Sequence, residues 1–85
     1  MGDDEWTVFS REVGVRLQQA RQRRGLSQER VAHLAGIAGF TYQKFEKGET
    51  RPGVAMNPRL KTLLAVCEVL DLDLVSLLEG APRLT

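Results

Sequence analysis

The stretch SQERVAHLAGIAGFTYQKFEKG, residues 27–48, decides how the chain folds. Ser27 suits a helix N-cap, because its hydroxyl can accept from a free backbone N–H of the first turn. Glu29 then lies near the positive end of the helix dipole, where a carboxylate is favoured. Val31, Leu34 and Ala35 recur at the three- and four-residue steps of one helical face. Gly36 can take the left-handed conformation that ends a helix and turns the chain sharply. A second periodic run follows Ile37, with Tyr42 and Phe45 three apart, and Gly48 stops it. The pattern predicts two short helices, about 28–35 and 38–47, joined by a glycine turn.

Two helices at a steep angle across such a turn match the helix-turn-helix of DNA-binding proteins. The residues also resemble a family, the repressor and Cro-type regulators of lambdoid phages, also called the xenobiotic-response-element type. Gln28, Ala32, Gly36, Ile37, Tyr42, Phe45, Glu46 and Gly48 carry the likeness, in the pattern S-Q-x-x-V-A-x-x-A-G-I followed by F-E-K-G, with R-x-x-R-G-L before it. The resemblance covers roughly residues 11–80. It implies an all-α, compact five-helix bundle that binds double-stranded DNA sequence-specifically as a repressor-like transcriptional regulator. It further implies that Gln28 meets the DNA backbone and that Arg21 pairs with Glu46, tying the first helix to the third by a bidentate contact. The alternative for that pair is two separately solvated side chains. Two positions depart from the family pattern. Ala38 stands where a Ser or Thr cap is usual, and Gly39 where a long polar side chain is common, which weakens the start of the third helix.

Composition limits the other readings. Eighty-five residues hold one small domain, and a single cysteine, Cys67, excludes an internal disulfide. No apolar run approaches the ~20 residues of a membrane span, and the acidic start at Asp3, Asp4 and Glu5 is unlike a secretory signal, so a cytoplasmic location is expected. The net charge is only +1, but it is unevenly spread: residues 1–10 and 62–85 each sum to −3, and the residues between them to +7. A basic middle with acidic ends gives a sided field that a polyanion would meet. No Cys/His cluster, nucleophile–histidine pair or phosphate-binding glycine loop is present, so neither an enzyme, a metal site nor a cofactor is expected. His33 is alone on a polar face.

In chain order, residues 1–9 are expected to form a loose arm, residues 10–80 the DNA-binding domain and residues 81–85 a tail. The first helix is expected from Ser10, as cap, to Arg24, with Val13, Leu17 and Ala20 on one face and Gly25 as the stop. In the third helix Tyr42 and Phe45 point inward. Ala38, Gly39, Phe40, Thr41, Gln43 and Lys44 are then the side of the reader that meets DNA. Lysine can donate to guanine and glutamine can pair with adenine. Phe40 either touches a thymine methyl or packs on its neighbours. Direct base contacts look few, so DNA shape would add to specificity. Lys47, Thr50 and Arg51 suit phosphate contacts, the last two on a loop spanning 48–56 that is longer than the family's and turns at Pro52–Gly53.

Asn57 and Pro58 are expected to start the fourth helix, whose apolar face holds Cys67 as a buried structural thiol. Asp73 can cap a fifth. The apolar surplus near the C-terminus predicts a two-fold dimer through Leu72, Leu74, Val75, Leu78 and Leu84, matching two half-sites. A different protein partner, as for an antitoxin or adaptor, is the alternative use of that surface.

Overall fold

The computed structural model describes residues 2–85, with side chains from residue 5 onward. Five helices and one hairpin follow in order: α1 (Gly2–Arg23), α2 (Gln28–Ala35), α3 (Gly39–Lys47), β1 (Glu49–Arg51), β2 (Val54–Ala55), α4 (Leu60–Leu70) and α5 (Leu74–Leu77). The fold is thus mostly helical rather than wholly so.

Helix α1 starts well before the expected Ser10. Trp6 and Phe9 extend the stripe of Val13, Leu17 and Ala20 at helical steps, and Phe9 is buried. Packing therefore carries the helix through the stretch expected to be a loose arm; Met1 lies outside the described residues. Ser10 is not a cap. It is buried in mid-helix, and its hydroxyl makes no hydrogen bond. The first turns are also tied down by Trp6, whose Nε1 donates to the Met56 carbonyl at 3.1 Å.

Segment 48–56, expected as a loop, folds back as an antiparallel hairpin pairing Glu49 with Ala55 and Arg51 with Val54. Pro52 and Gly53 make its turn, and Gly53 has φ 81°, the positive value that the third position of a type II turn requires. Strands of three and two residues are too short to display a period in the sequence.

Helix α4 begins later than Asn57 and Pro58 suggested: Arg59 is its N-cap, without a side-chain hydrogen bond. Asp73 does cap α5, accepting from the Ser76 N–H at 3.3 Å.

One core joins all five helices. Leu17, Val31, Tyr42, Val66 and Leu77, one from each helix, have no exposed surface. Removing a side chain of Leu or Ile size from water stabilises a fold by about 1.5–3 kcal/mol. Cys67 is buried among them, and burial first, then the charge of Asp73, pushes its thiol pKa up. Arg16 closes the far end of the bundle. Its Nη1 donates to the carbonyls of Leu77 and Glu79 at 2.8 and 2.7 Å, satisfying acceptors that the end of α5 leaves free.

Candidate nucleic-acid interface

The local geometry of α2 and α3 follows from their caps. Ser27 accepts from the Arg30 N–H at 3.0 Å, and Gly36 ends α2 in the left-handed conformation. Ile37 then donates its N–H back to the Ala32 carbonyl at 2.9 Å, tightening the turn before α3. Ala38 is the N-cap of α3 and offers no side-chain hydrogen bond, so the first N–H groups of that helix have no partner from a cap.

The inner face of α3 is fixed. Tyr42 and Phe45 are buried, with ring centroids 6.5 Å apart in an edge-on arrangement. Behind them Arg21 and Glu46 meet twice: Nε to Oε2 at 2.6 Å and Nη2 to Oε1 at 3.1 Å. Only 14% of the Arg21 side chain and 5% of the Glu46 side chain are exposed. Arg21 also donates to the Leu26 carbonyl at 2.9 Å, so a single guanidinium binds α1, the turn before α2 and α3. Gln28, which the resemblance places at the DNA backbone, donates one Nε2–H to Glu46 Oε1 at 2.8 Å. An ionised carboxylate keeps acceptor sites beyond those that meet an arginine, and the Gln28 amide in the first turn of α2 takes one.

These contacts set the charge of the corner. Burial alone would raise the Glu46 pKa, but the hydrogen bonds, that of Arg21 foremost, hold it below the ordinary carboxylate range. The same bond raises the Arg21 pKa, against the opposing effect of burial. Burial, with the neighbouring Glu46 carboxylate, pushes the Tyr42 phenol up.

The outer face of α3 is open. Ala38, Phe40, Gln43, Lys44 and Lys47 are exposed, and Gly39 and Thr41 are half-buried. Two open depressions flank the helix. One, about 460 Å³, lies toward α2 and is lined by Gly39, Phe40 and Gln43 together with Glu29 and His33. The other, about 210 Å³, lies toward the hairpin and is lined by Thr41, Lys44 and Thr50 together with Asn57. The structure therefore brings most of the expected reader residues to the sides of one rod. Arg51 is exposed on β1 and lines neither depression. Gln28 is half-buried and lines neither depression. Asn57 joins it, which its sequence neighbours did not signal, since Asn-Pro reads there as a helix start. Lys44 Nζ lies 5.3 Å from the Phe40 ring centroid, a cation–π pair one helical turn apart.

Near the C-terminus Leu72, Leu74 and Leu78 pack partly on the core of their own chain. Val75 and Leu84 stay 76% and 68% exposed. Among the described residues no helix is long and apolar enough to cross a membrane.

No curated protein matches the chain. Residues 12–79 match the model of the helix-turn-helix domain family, a span that contains α2, the turn at Gly36 and α3. On that match, which takes in most of the chain, this protein belongs to the helix-turn-helix domain family of DNA-binding proteins.

Proposed function

We propose that the chain is a sequence-specific double-stranded DNA-binding protein of the phage repressor/Cro type, acting in the cytoplasm as a repressor-like transcriptional regulator. The observation that carries this reading is the exposed outer face of α3, with Phe40, Gln43 and Lys44 projecting from a helix whose inner face is locked into the core. A rod of that size fits the major groove, which admits an α-helix. Ala38, Gly39 and Thr41 let its N-terminal end approach the bases. Lys47, Thr50 and Arg51 follow at its C-terminal end, where they would neutralise phosphates and set the register. Gln28 bonds Glu46 through one N–H and, half-buried, keeps its other amide groups for a contact with the DNA backbone.

The test is binding to random duplex at two salt concentrations, followed by selection of bound sequences from a random pool. Affinity should fall steeply with salt, as phosphate neutralisation requires. Lys44→Ala should change the selected bases, whereas Arg51→Ala should weaken all sites alike. Absence of duplex binding at low salt would end this reading, and identical selected motifs for wild type and Lys44→Ala would mean that the reader is misassigned.

We also propose a two-fold homodimer centred on the exposed Val75 and Leu84, edged by Leu72, Leu74 and Leu78. A monomer in sedimentation at tens of micromolar would count against it. The same two side chains favour, as a second reading, a different protein partner in an antitoxin or adaptor role. A monomer that forms a stoichiometric complex with the product of a neighbouring gene would support that reading.

A further inference from the structure

Phe40 is the one large apolar side chain of α3 that lies exposed. A phenylalanine that is 64% exposed in the second position of a helix gains little from the fold. Its ring does not pack into the core, and its charged neighbour is Lys44, one turn on, with Nζ 5.3 Å from the ring centroid. Next to it is Gly39, where an added Cβ would meet nothing within 4 Å, so the Cβ side of that residue beside the ring is open. The ring also lines the depression toward α2 together with Gln43.

We infer that Phe40 and Lys44 act as one unit that reads a 5-methylpyrimidine beside a guanine, and that Phe40 is the specificity-determining residue for the methyl group. This rests on the DNA-binding reading given above. The major-groove edge of thymine carries a C5 methyl, and that of guanine carries two acceptors, O6 and N7. Lys44 covers one face of the ring and leaves the other side for an apolar contact. Its ammonium, held beside the ring, is placed to donate to the base next to the methyl. Gly39 lets the helix come close enough for a ring carried on the second residue to reach a methyl in the groove. Cytosine lacks the methyl and 5-methylcytosine has it, so the same subsite makes binding sensitive to cytosine methylation.

The experiment uses the intact protein and the duplex recovered by selection, with affinities measured by fluorescence anisotropy. Each thymine in turn is replaced by uracil, which removes the C5 methyl and leaves the pairing unchanged. At one position adjacent to a guanine the replacement should weaken binding about fourfold, the value of burying one methyl. Exchanging that thymine pair for a cytosine–guanine pair and then methylating the cytosine should restore about the same factor. Phe40→Ala should bind thymine and uracil duplexes equally, while Phe40→Leu, still apolar, should keep part of the difference. Because Phe40 lies outside the core, neither variant should alter the unfolding midpoint by more than a small surface effect. Duplex binding with no thymine–uracil difference at any position would overturn this inference alone, as would a difference that persists unchanged in Phe40→Ala. Absence of duplex binding altogether would overturn the DNA-binding reading and this inference with it.

Discussion

The two ends of α3 are held in opposite ways. At the C-terminal end, Glu46 accepts from Arg21 and Gln28, and Gly48 turns the chain with φ 74° directly beneath the α1 backbone. A Cβ at Gly48 would lie 2.5 Å from the Ser10 carbonyl oxygen, and one at Gly14 would collide with the backbone carbonyls of Phe45 and Glu46. At the N-terminal end Ala38 gives no cap, and a Cβ at Gly39 would meet nothing within 4 Å. One end is positioned by backbone contact and a buried ion pair, the other by the turn from α2, where Ile37 packs on the core, but without a side-chain cap. The difference teaches that one short helix can be locked by tertiary contacts at one end and left without a cap at the other.

Two glycine substitutions, at Gly14 and at Gly39, probe that contrast most directly, because helix propensity alone favours alanine at both sites. Gly14→Ala should be the most damaging change, lowering unfolding free energy in urea by about 3 kcal/mol, since a backbone contact rather than a flexible side chain must give way. A neutral or stabilising result would mean that α1 and α3 are not in backbone contact.

The ion pair comes next. Arg21→Ala and Glu46→Ala should each cost about 2 kcal/mol, above the ~0–1 kcal/mol of an exposed pair and below a fully buried one, because Arg21 keeps some access to water. Losses under ~1 kcal/mol in both variants would make the corner no stronger than a surface contact.

Acid should loosen the same end. The folded-state pKa of Glu46 lies below its ordinary value of 4.5, so the unfolded chain takes up a proton first. Stability contributed by the ionised carboxylate is therefore full above pH 4.5 and is lost as the pH falls through the folded-state value. Comparing Glu46→Gln with wild type between pH 7 and pH 3 isolates it: the gap between the two should narrow on acidification. A constant gap would remove Glu46 from the acid response.

The smallest effects belong to the loose end and have the opposite sign. Ala38→Ser should add about 1 kcal/mol through a new N-cap, and Gly39→Ala about 0.5 kcal/mol through propensity. If both stabilise the free protein while Gly39→Ala weakens duplex binding, the open Cβ side of Gly39 serves close approach. If Gly39→Ala leaves binding unchanged, that opening has no role in recognition.

What was legible in the sequence divides along the same line. The α2–turn–α3 unit was readable because Ser27, Gly36 and Gly48 act through local backbone chemistry, and caps and stops need no partner elsewhere. Gln28 was not, because its bond to Glu46 exists only once α2 and α3 have packed, and a polar first-turn residue looks the same whether it faces solvent or a carboxylate. Ser10 misled for a related reason. Hydroxyl residues favour helix starts, yet the apolar stripe through Trp6 and Phe9 carried α1 past it and buried it. The hairpin was hidden by its brevity, although Pro52 and Gly53 marked its turn. The roles proposed for Thr50, Arg51 and the outer face of α3 depend on a partner and were legible only as chemistry held ready.

The chain's single tryptophan sits at the seam where the first turns of α1 meet the end of β2, with its indole nitrogen bonded to a carbonyl fifty residues away. That location makes Trp6 an intrinsic optical probe of one junction. Its emission should redden when the opening turns lift off, whether or not the remainder of the bundle melts, so fluorescence and circular dichroism followed together would separate detachment of the N-terminal segment from global unfolding without any label.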